Sequence, residues 1–369
     1  MGNDDFSRLE LSLPAARANY RYFRSLMEPE TKLLVLVKAN AYGHGAVEFA
    51  GMMQQAGADY LAVALPIEGM ELRKEGISMP IMVLTSGTDF FEEIISYRME
   101  PSIPNLSTLK ALVEVLKAKN LQGFPIHIKL DTGMHRLGFM SSELPELFEY
   151  LNGCPYVSVL SCFSHLAAAE DPEQDEFTLG QIKMFIQNAT ALDNALGYKT
   201  MWHILNSAGI ERFPQYQFDM VRLGIGIYGI SSRPSAHLEP VASFKVKVLQ
   251  IKQLLPSDGT IGYGRLGRPS TNGTTIATIP CGYADGINRH LGKGKVSFCV
   301  NGHRAPTIGN ICMDMCMLDV TGIDCKVGDT VTIFGKEPKV TELADILGTI
   351  PYEIFTSIPR RIERIVVRD

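Results

Sequence analysis

The sequence predicts an α/β fold: a (β/α)8 TIM-type barrel followed by a smaller, mostly antiparallel β domain. Three observations lead there. Between about Lys32 and Gly229, short apolar, β-branched runs alternate with segments of helical period, the pattern of parallel strands joined by helices. Beyond "SSRPSAHLEP" the texture changes to polar–apolar alternation and short strands punctuated by glycine. The chain has 369 residues, 46% of them hydrophobic, enough for one large core and a smaller one.

Eight strands are expected in the first part, in this order: "KLLVLVKAN" from Lys32, "DYLAVAL" from Asp59, "PIMVLTS" from Pro80, "EPSIPN" from Glu100, "PIHIKLDTG" from Pro125, "VSVLSCFSHL" from Val157, "MWHILNSAG" from Met201 and "FDMVRLGIGIYG" from Phe218. Amphipathic stretches lie between them. In "STLKALVEVLKAKN", Leu109, Leu112, Val113 and Leu116 recur at helical spacing and Ser107 is the expected N-cap. Eight such units close a barrel, whose chemistry sits on the loops after the strands' C-terminal ends, with a phosphate commonly held after strands seven and eight. The domain boundary is placed near Pro240, giving a barrel over 1–239 and a β domain over 240–369. The early strand-like "RLELSLP", about residues 8–13, is a candidate to pair with the second domain.

The bulk numbers narrow the function. A net charge of −5 with interspersed signs offers no basic stripe for nucleic acid or an anionic membrane, so a small-molecule partner is expected. The longest apolar runs fall far short of the ~20 residues that span a bilayer, and no opening segment has the form of a leader, which leads to an expected cytoplasmic location. The seven cysteines are odd in number and fit no common zinc spacing. They read as buried or free thiols, with Cys312 and Cys316 on one strand, and no metal is expected.

Lys38 falls at the C-terminal mouth of the first strand, after an apolar run. An amine delivered there is desolvated, which lowers its pKa and makes it a nucleophile toward carbonyls. After strand seven comes "NSAG" with Asn206 and Ser207, and strand eight carries "RLGIG" with Gly224 and Ile225. Small residues and amides thus stand where a phosphate is commonly bound, although tight βα turns without a ligand have the same composition. Tyr42 adds a hydroxyl. An imine-forming lysine and a phosphate cradle on one barrel face imply pyridoxal 5'-phosphate. His165 ends strand six and reads equally as a hydrogen-bonded core residue. Arg222 on strand eight must find acceptors, since a guanidinium only donates.

These residues carry a family resemblance. "VKANAYGHG", "LDTGMHRLG", "VRLGIGIYG", "GYGR", "GYADG", "CMD" and "TIPYE" occur in the order seen in the alanine racemases, and the likeness runs over nearly the whole chain. The resemblance implies a homodimeric isomerase that interconverts L-alanine and D-alanine by two-base proton exchange at Cα and supplies D-alanine for peptidoglycan. Lys38 would hold pyridoxal phosphate and act as one base. Tyr42, Ser207, Gly224, Ile225 and Tyr352 would bind its phosphate, with Asn206 nearby. Arg222 would face the pyridine nitrogen and His165 would link it to the second base, Tyr263, which the partner subunit's β domain contributes. Arg136 and the amide of Met313 would position the substrate carboxylate, while Asp314 and Tyr283 shape the site. Lys129 corresponds to a lysine that several relatives carry as a carbamate.

Three positions depart from the family's usual text: His135 where glycine is common, Asn310 where arginine is frequent, and Met315 where glutamine often stands. They put the amino acid accepted in question, so serine or a broader set is the alternative to alanine. Barrel-plus-β decarboxylases of basic amino acids share the architecture but not "CMD" and "GYGR". A non-catalytic pyridoxal-phosphate carrier would lack the second domain's Tyr263.

Overall fold

A computed structural model describes residues 6–233 and 236–368. Residues 1–5 and 369 of the expected domains, and Pro234 and Ser235 ahead of the expected boundary, lie outside the described residues. The chain divides into two compact units, one made of Arg17–Ala41 and Ala46–Leu238, the other of Met1–Ala16, Tyr42–Gly45 and Glu239–Asp369.

The first unit is the barrel. Its strands are Lys32–Leu36, Tyr60–Val63, Ile81–Val83, Glu100–Ile103, Phe124–Lys129, Val157–Phe163, Met201–His203 and Met220–Leu223. Each pairs in parallel with the next through the seventh, and the eighth pairs with the first. Between the seventh and eighth no ladder forms. The seam is stitched by the amides of Asp219 and Arg222, which donate to the carbonyls of Trp202 and Leu205 at 3.2 and 3.0 Å. The eight expected strands are therefore present, each shorter than the segment expected for it.

Continuous apolar runs suit these strands, which are buried on both faces; Leu33, Leu34, Val35, Leu61, Ile81 and Val221 are all fully buried. Helices such as Ala46–Ala56, Leu106–Ala118 and Asp175–Leu196 separate the strands. The cap of Leu106–Ala118 differs from expectation. Asn105, not Ser107, is the N-cap, and its Oδ1 accepts from the Thr108 amide at 2.9 Å. An asparagine one residue before the first helical position reaches that amide, whereas Ser107 already lies within the first turn.

The second unit holds two sheets. In the larger, Ala242–Lys247 lies antiparallel to Ser7–Ser12, which pairs in parallel with Glu363–Val367 on its other side. In the smaller, Gln250–Leu254, Thr274–Ile279 and Cys316–Asp319 run antiparallel. All seven cysteines are free thiols. Cys312 and Cys316 do not share a strand: Cys316 opens one and Cys312 belongs to the turn before it, its amide donating to the Met315 carbonyl at 2.9 Å. Among the described residues, no helix is long and apolar enough to cross a membrane, and no cluster of His, Cys, Asp or Glu is suited to a metal.

Candidate active site

Lys38 stands where the first barrel strand gives way to an unusual turn. Ala39, Asn40, Ala41 and Tyr42 all have φ between 52° and 55°, a run of left-handed residues without a glycine among them. Each costs about 1–2 kcal/mol relative to a right-handed turn, so the surroundings must hold it. Glu68 does so from the next βα unit: Oε1 accepts from the Ala39 amide at 2.6 Å, and Oε2 accepts from the amides of Ala64 and Leu65 at 2.7 and 3.0 Å. Asn40 Oδ1 accepts from the Ala46 amide at 2.9 Å. Burial first, then the charge of Arg136, holds the Lys38 amine below the usual lysine range, with Glu68 opposing.

Arg222 is buried, with no carboxylate in contact among the described residues. Its Nη1 donates to His203 Nδ1 and to the His203 carbonyl, both at 3.0 Å. Its Nη2 faces the carbonyls of Ser164 at 2.5 Å and Ile204 at 3.1 Å, and His165 Nδ1 at 3.3 Å. Because a guanidinium only donates, His165 and His203 must present bare Nδ1 atoms to it and so be neutral. Burial first, and then the charge of Arg222, holds both imidazoles well below the ordinary histidine value. Nε of Arg222 has no acceptor among the described residues.

Phe163 underlies this cluster. Its ring stacks on His203 with centroids 5.0 Å apart, and carries Arg222 Cζ at 5.3 Å and Lys129 Nζ at 5.8 Å over its face. Burial pulls Lys129 down to about 8, with Arg136, Arg222 and Lys38 adding to the effect and Asp131 opposing it. Lys38, Lys129, Arg136 and Arg222 therefore form one mutually repelling cationic group, a field suited to an anionic ligand.

Arg136 is exposed and follows the Asp131 loop. Asp131 Oδ1 accepts from the amides of Gly133 and His135 at 3.0 and 3.1 Å, and Oδ2 lies 3.5 Å from His135 Nδ1. His135 has φ +52°, which explains why a glycine is at ease there. Asp131 compensates the histidine by accepting from its amide, with the ring close by.

The residues expected to form a cradle lie together, and Ser207 itself engages two of the amides. Asn206 caps the short helix Ser207–Arg212, accepting from the Gly209 amide at 2.9 Å. Ser207 Oγ accepts from the amides of Gly224 and Gly226 at 2.9 and 3.2 Å. The Gly224 amide is thus engaged by Ser207, whose own hydroxyl proton remains to be donated. Ile225 opens the following 3-10 turn, so its N–H has no carbonyl one turn behind it.

The remaining candidates lie in the second unit. Tyr42 is buried, its ring 5.6 Å from that of Tyr352, and burial pushes its phenol above the usual range. Tyr263, Tyr283, Met313 and Asp314 are exposed and line an open cavity of about 1040 Å³. Tyr263 is 72% exposed on a turn whose neighbour Gly264 has φ +72°, and Asn310 Nδ2 donates to its carbonyl at 2.8 Å. The amides of Tyr283 and Ala284 donate to the carbonyls of Cys312 and Met313, both at 3.0 Å, which locks the two loops together. Arg361 braces the pair, donating to Asp285 at 2.7 Å and Asp314 at 2.9 Å.

Residues 11–232 match the family model described as alanine racemase, N-terminal domain, and residues 241–366 match that of the alanine racemase C-terminal domain. The chain belongs to the alanine racemase family. Among similar members, alanine racemase 1 of Clostridium acetobutylicum is 35% identical, over 98% of this chain and 95% of that one. The solved alanine racemase of Clostridium difficile 630 superposes with a TM-score of 0.91 at 34% identity, covering 98% and 96% of the two chains. That of Bartonella henselae, with covalently bound pyridoxal phosphate, gives 0.88 at 30% identity over 98% and 99%.

Within this family member, sequence reasoning missed Glu68, Phe163, His203 and Arg361. His203 carried a usable signal, a histidine ending an inward-facing barrel strand. Glu68 and Arg361 carried none, because a charged residue on a helix or near a chain end is usually solvated.

Proposed function

We propose that this chain is a pyridoxal-phosphate-dependent racemase that interconverts L-alanine and D-alanine. The observation that carries the reading is the cationic group of Lys38, Lys129, Arg136 and Arg222, in which two amines are held below their usual range. An amine that loses its proton near neutral pH is available to a carbonyl carbon, and the net positive field suits a phosphate and a carboxylate. When bound, pyridoxal phosphate supplies an electron sink conjugated to the substrate's nitrogen, which lowers the barrier to losing the Cα proton.

The residues fit that group on three counts. Lys38 has the depressed amine needed to hold an aldehyde. Arg222 keeps one N–H in hand at Nε, and a donor that never gives up its proton suits a ring nitrogen that is to stay unprotonated. Ser207 and Ile225 offer a hydroxyl and an amide for the phosphate, next to Asn206 and Gly224, while Tyr42 and Tyr352 complete the set by resemblance.

In the reaction Lys38 would move a proton at Cα on one face of the substrate and the partner subunit's Tyr263 on the other, which makes the working form a homodimer. His165, fixed by Arg222 at Nδ1, has only Nε2–H left to offer and would link Arg222 to that phenol. Arg136 and the Met313 amide would hold the carboxylate, with Asp314 and Tyr283 bounding the pocket. Lys129, pulled down to about 8, has the free amine that adds carbon dioxide, with loss of a proton, and the resulting carbamate would answer the charge of Arg136. The product would supply D-alanine for peptidoglycan in the cytoplasm.

The test is turnover of L-alanine, D-alanine, L-serine and L-lysine by cofactor-saturated protein in deuterium oxide. Interconversion of the alanines with deuterium entering Cα is expected, with serine and lysine slower. Bound cofactor without exchange into any of them would make the protein a carrier and end this reading.

A further inference from the structure

Below Arg222 a line of buried polar groups runs through the barrel. His203 Nε2 lies 2.9 Å from Ser161 Oγ, Ser161 Oγ lies 2.6 Å from His127 Nδ1, and His127 Nε2 lies 2.9 Å from Glu100 Oε2. His203, Ser161 and His127 are each fully buried, and the Glu100 side chain keeps 15% of its surface. The groups come from the fourth to eighth barrel strands, so no local sequence pattern connects them. Burying a guanidinium is costly unless its charge is answered, and the groups that contact Arg222 among the described residues are carbonyls and imidazoles.

The chemistry of the two ends leaves one arrangement of protons. A guanidinium can only donate, so His203 Nδ1 accepts and its single proton sits on Nε2, aimed at Ser161. Having accepted there, Ser161 donates its own proton to His127 Nδ1. His127 then carries its proton on Nε2 and gives it to Glu100, a carboxylate that only accepts. Burial and then the charge of Glu100 push the Tyr60 phenol above its usual range, and the Tyr60 ring stands edge-on to His127 at 6.3 Å. Protonating His203 would set two donors face to face at Arg222. Protonating His127 would leave Ser161 with two donors and no acceptor for its own hydrogen.

We propose that Glu100 is the distant counter-anion of Arg222, reached through His203, Ser161 and His127, and that this one-directional chain of hydrogen bonds fixes Arg222 in place. The four are positioning residues, acting on the reaction only through Arg222. The effect on the cofactor rests on the function proposed above; the chain itself does not.

Two measurements separate the ideas. In the first, the histidines are labelled with 15N, assigned by single replacements, and observed in the cofactor-saturated and cofactor-free protein. Slowly exchanging Nε2–H signals are expected for both His127 and His203. Glu100→Gln, which removes the charge but keeps an acceptor, is expected to move the His203 signal as well as that of His127, and Ser161→Ala to abolish that transmission. A Glu100→Gln effect that stops at His127 while Ser161 is intact would overturn the proposal.

In the second, the pH titration of the bound cofactor's absorbance is followed with kcat and KM. Ser161→Ala and Glu100→Gln should shift the titration and lower kcat by about tenfold, the scale of one charge-assisted hydrogen bond, with KM nearly unchanged. Glu100→Asp should recover part of the loss. Variants that lower only the melting temperature, with titration and kcat as in the parent, would make the chain a stability element and refute a positioning role. If the parent protein shows no cofactor band, the functional reading fails while the first measurement still decides the chain.

Discussion

The Glu68 carboxylate accepts the amide of Ala39, the residue after Lys38, at 2.6 Å, and its other oxygen holds Ala64 and Leu65 at 2.7 and 3.0 Å. One side chain therefore ties the strained turn to the end of the neighbouring strand. Without it, four left-handed residues have a cheaper alternative, and Lys38 is no longer fixed. Glu68→Ala is expected to cost about 1–2 kcal/mol, the scale of charge-assisted bonds made near the surface. Urea unfolding checks the stability. Borohydride reduction with peptide mapping checks the site, and the yield of cofactor on the Lys38 peptide should fall well below that of the parent.

Gly43 is held more tightly still. It has φ +83°, a Cβ there would come within 2.1 Å of the Phe355 carbonyl oxygen, and Arg364 grips its own carbonyl at 3.0 and 3.1 Å. No flexible side chain stands in the way that could yield; the obstacle is backbone. Gly43→Ala should destabilise the second unit by more than about 3 kcal/mol, combining the left-handed penalty with a clash. A lowered denaturant midpoint measures it, and a midpoint within a few tenths molar of the parent would contradict the close packing.

Lys129 makes stability depend on pH with a definite sign. Its amine is pulled from 10.5 to about 8 in the folded chain. Between those values the unfolded chain binds the extra proton, so stability should rise as pH rises from about 8 toward 10.5. Below 8 both states are protonated and the folded state carries the full penalty of a buried charge among cations. Lys129→Met should therefore flatten the rise and be relatively more stable at neutral pH. Carbamylation would replace this behaviour, because the group is then an anion across the window. Intact mass at neutral pH, with and without added bicarbonate, tells the two forms apart.

The parts legible in the sequence were those whose meaning is local. Most barrel strands announced themselves as short apolar runs, the fourth, "EPSIPN", least of all, and Lys38 and Arg222 stood out because a charge beside such a run must be used or compensated. What escaped depended on neighbours far off in the chain. Glu100 and His127 gain their meaning only when adjacent strands set one beside the other, with Ser161 and His203 continuing the line. The Gly224 amide looked free until Ser207 was found against it. The left-handed turn after Lys38 was largely hidden, since alanine and tyrosine give no sign of positive φ; Asn40, Gly43 and Gly45 hinted at it.

The proposed division of labour between subunits has a quantitative consequence. Tyr263 is 72% exposed in its own unit, on a turn anchored by Asn310, so its phenol is available to another chain. Lys38→Ala and Tyr263→Phe proteins should each be nearly inactive. If each site takes its lysine from one subunit and its tyrosine from the other, a mixed dimer contains one site with both defects and one with neither. Equal mixing puts about half the chains into mixed dimers, so about a quarter of the parent's specific activity should return. Mass spectrometry of differentially labelled chains verifies the exchange. Complete exchange without recovered activity would mean that both bases come from one chain, and the assignment of Tyr263 to the partner's site would have to be given up.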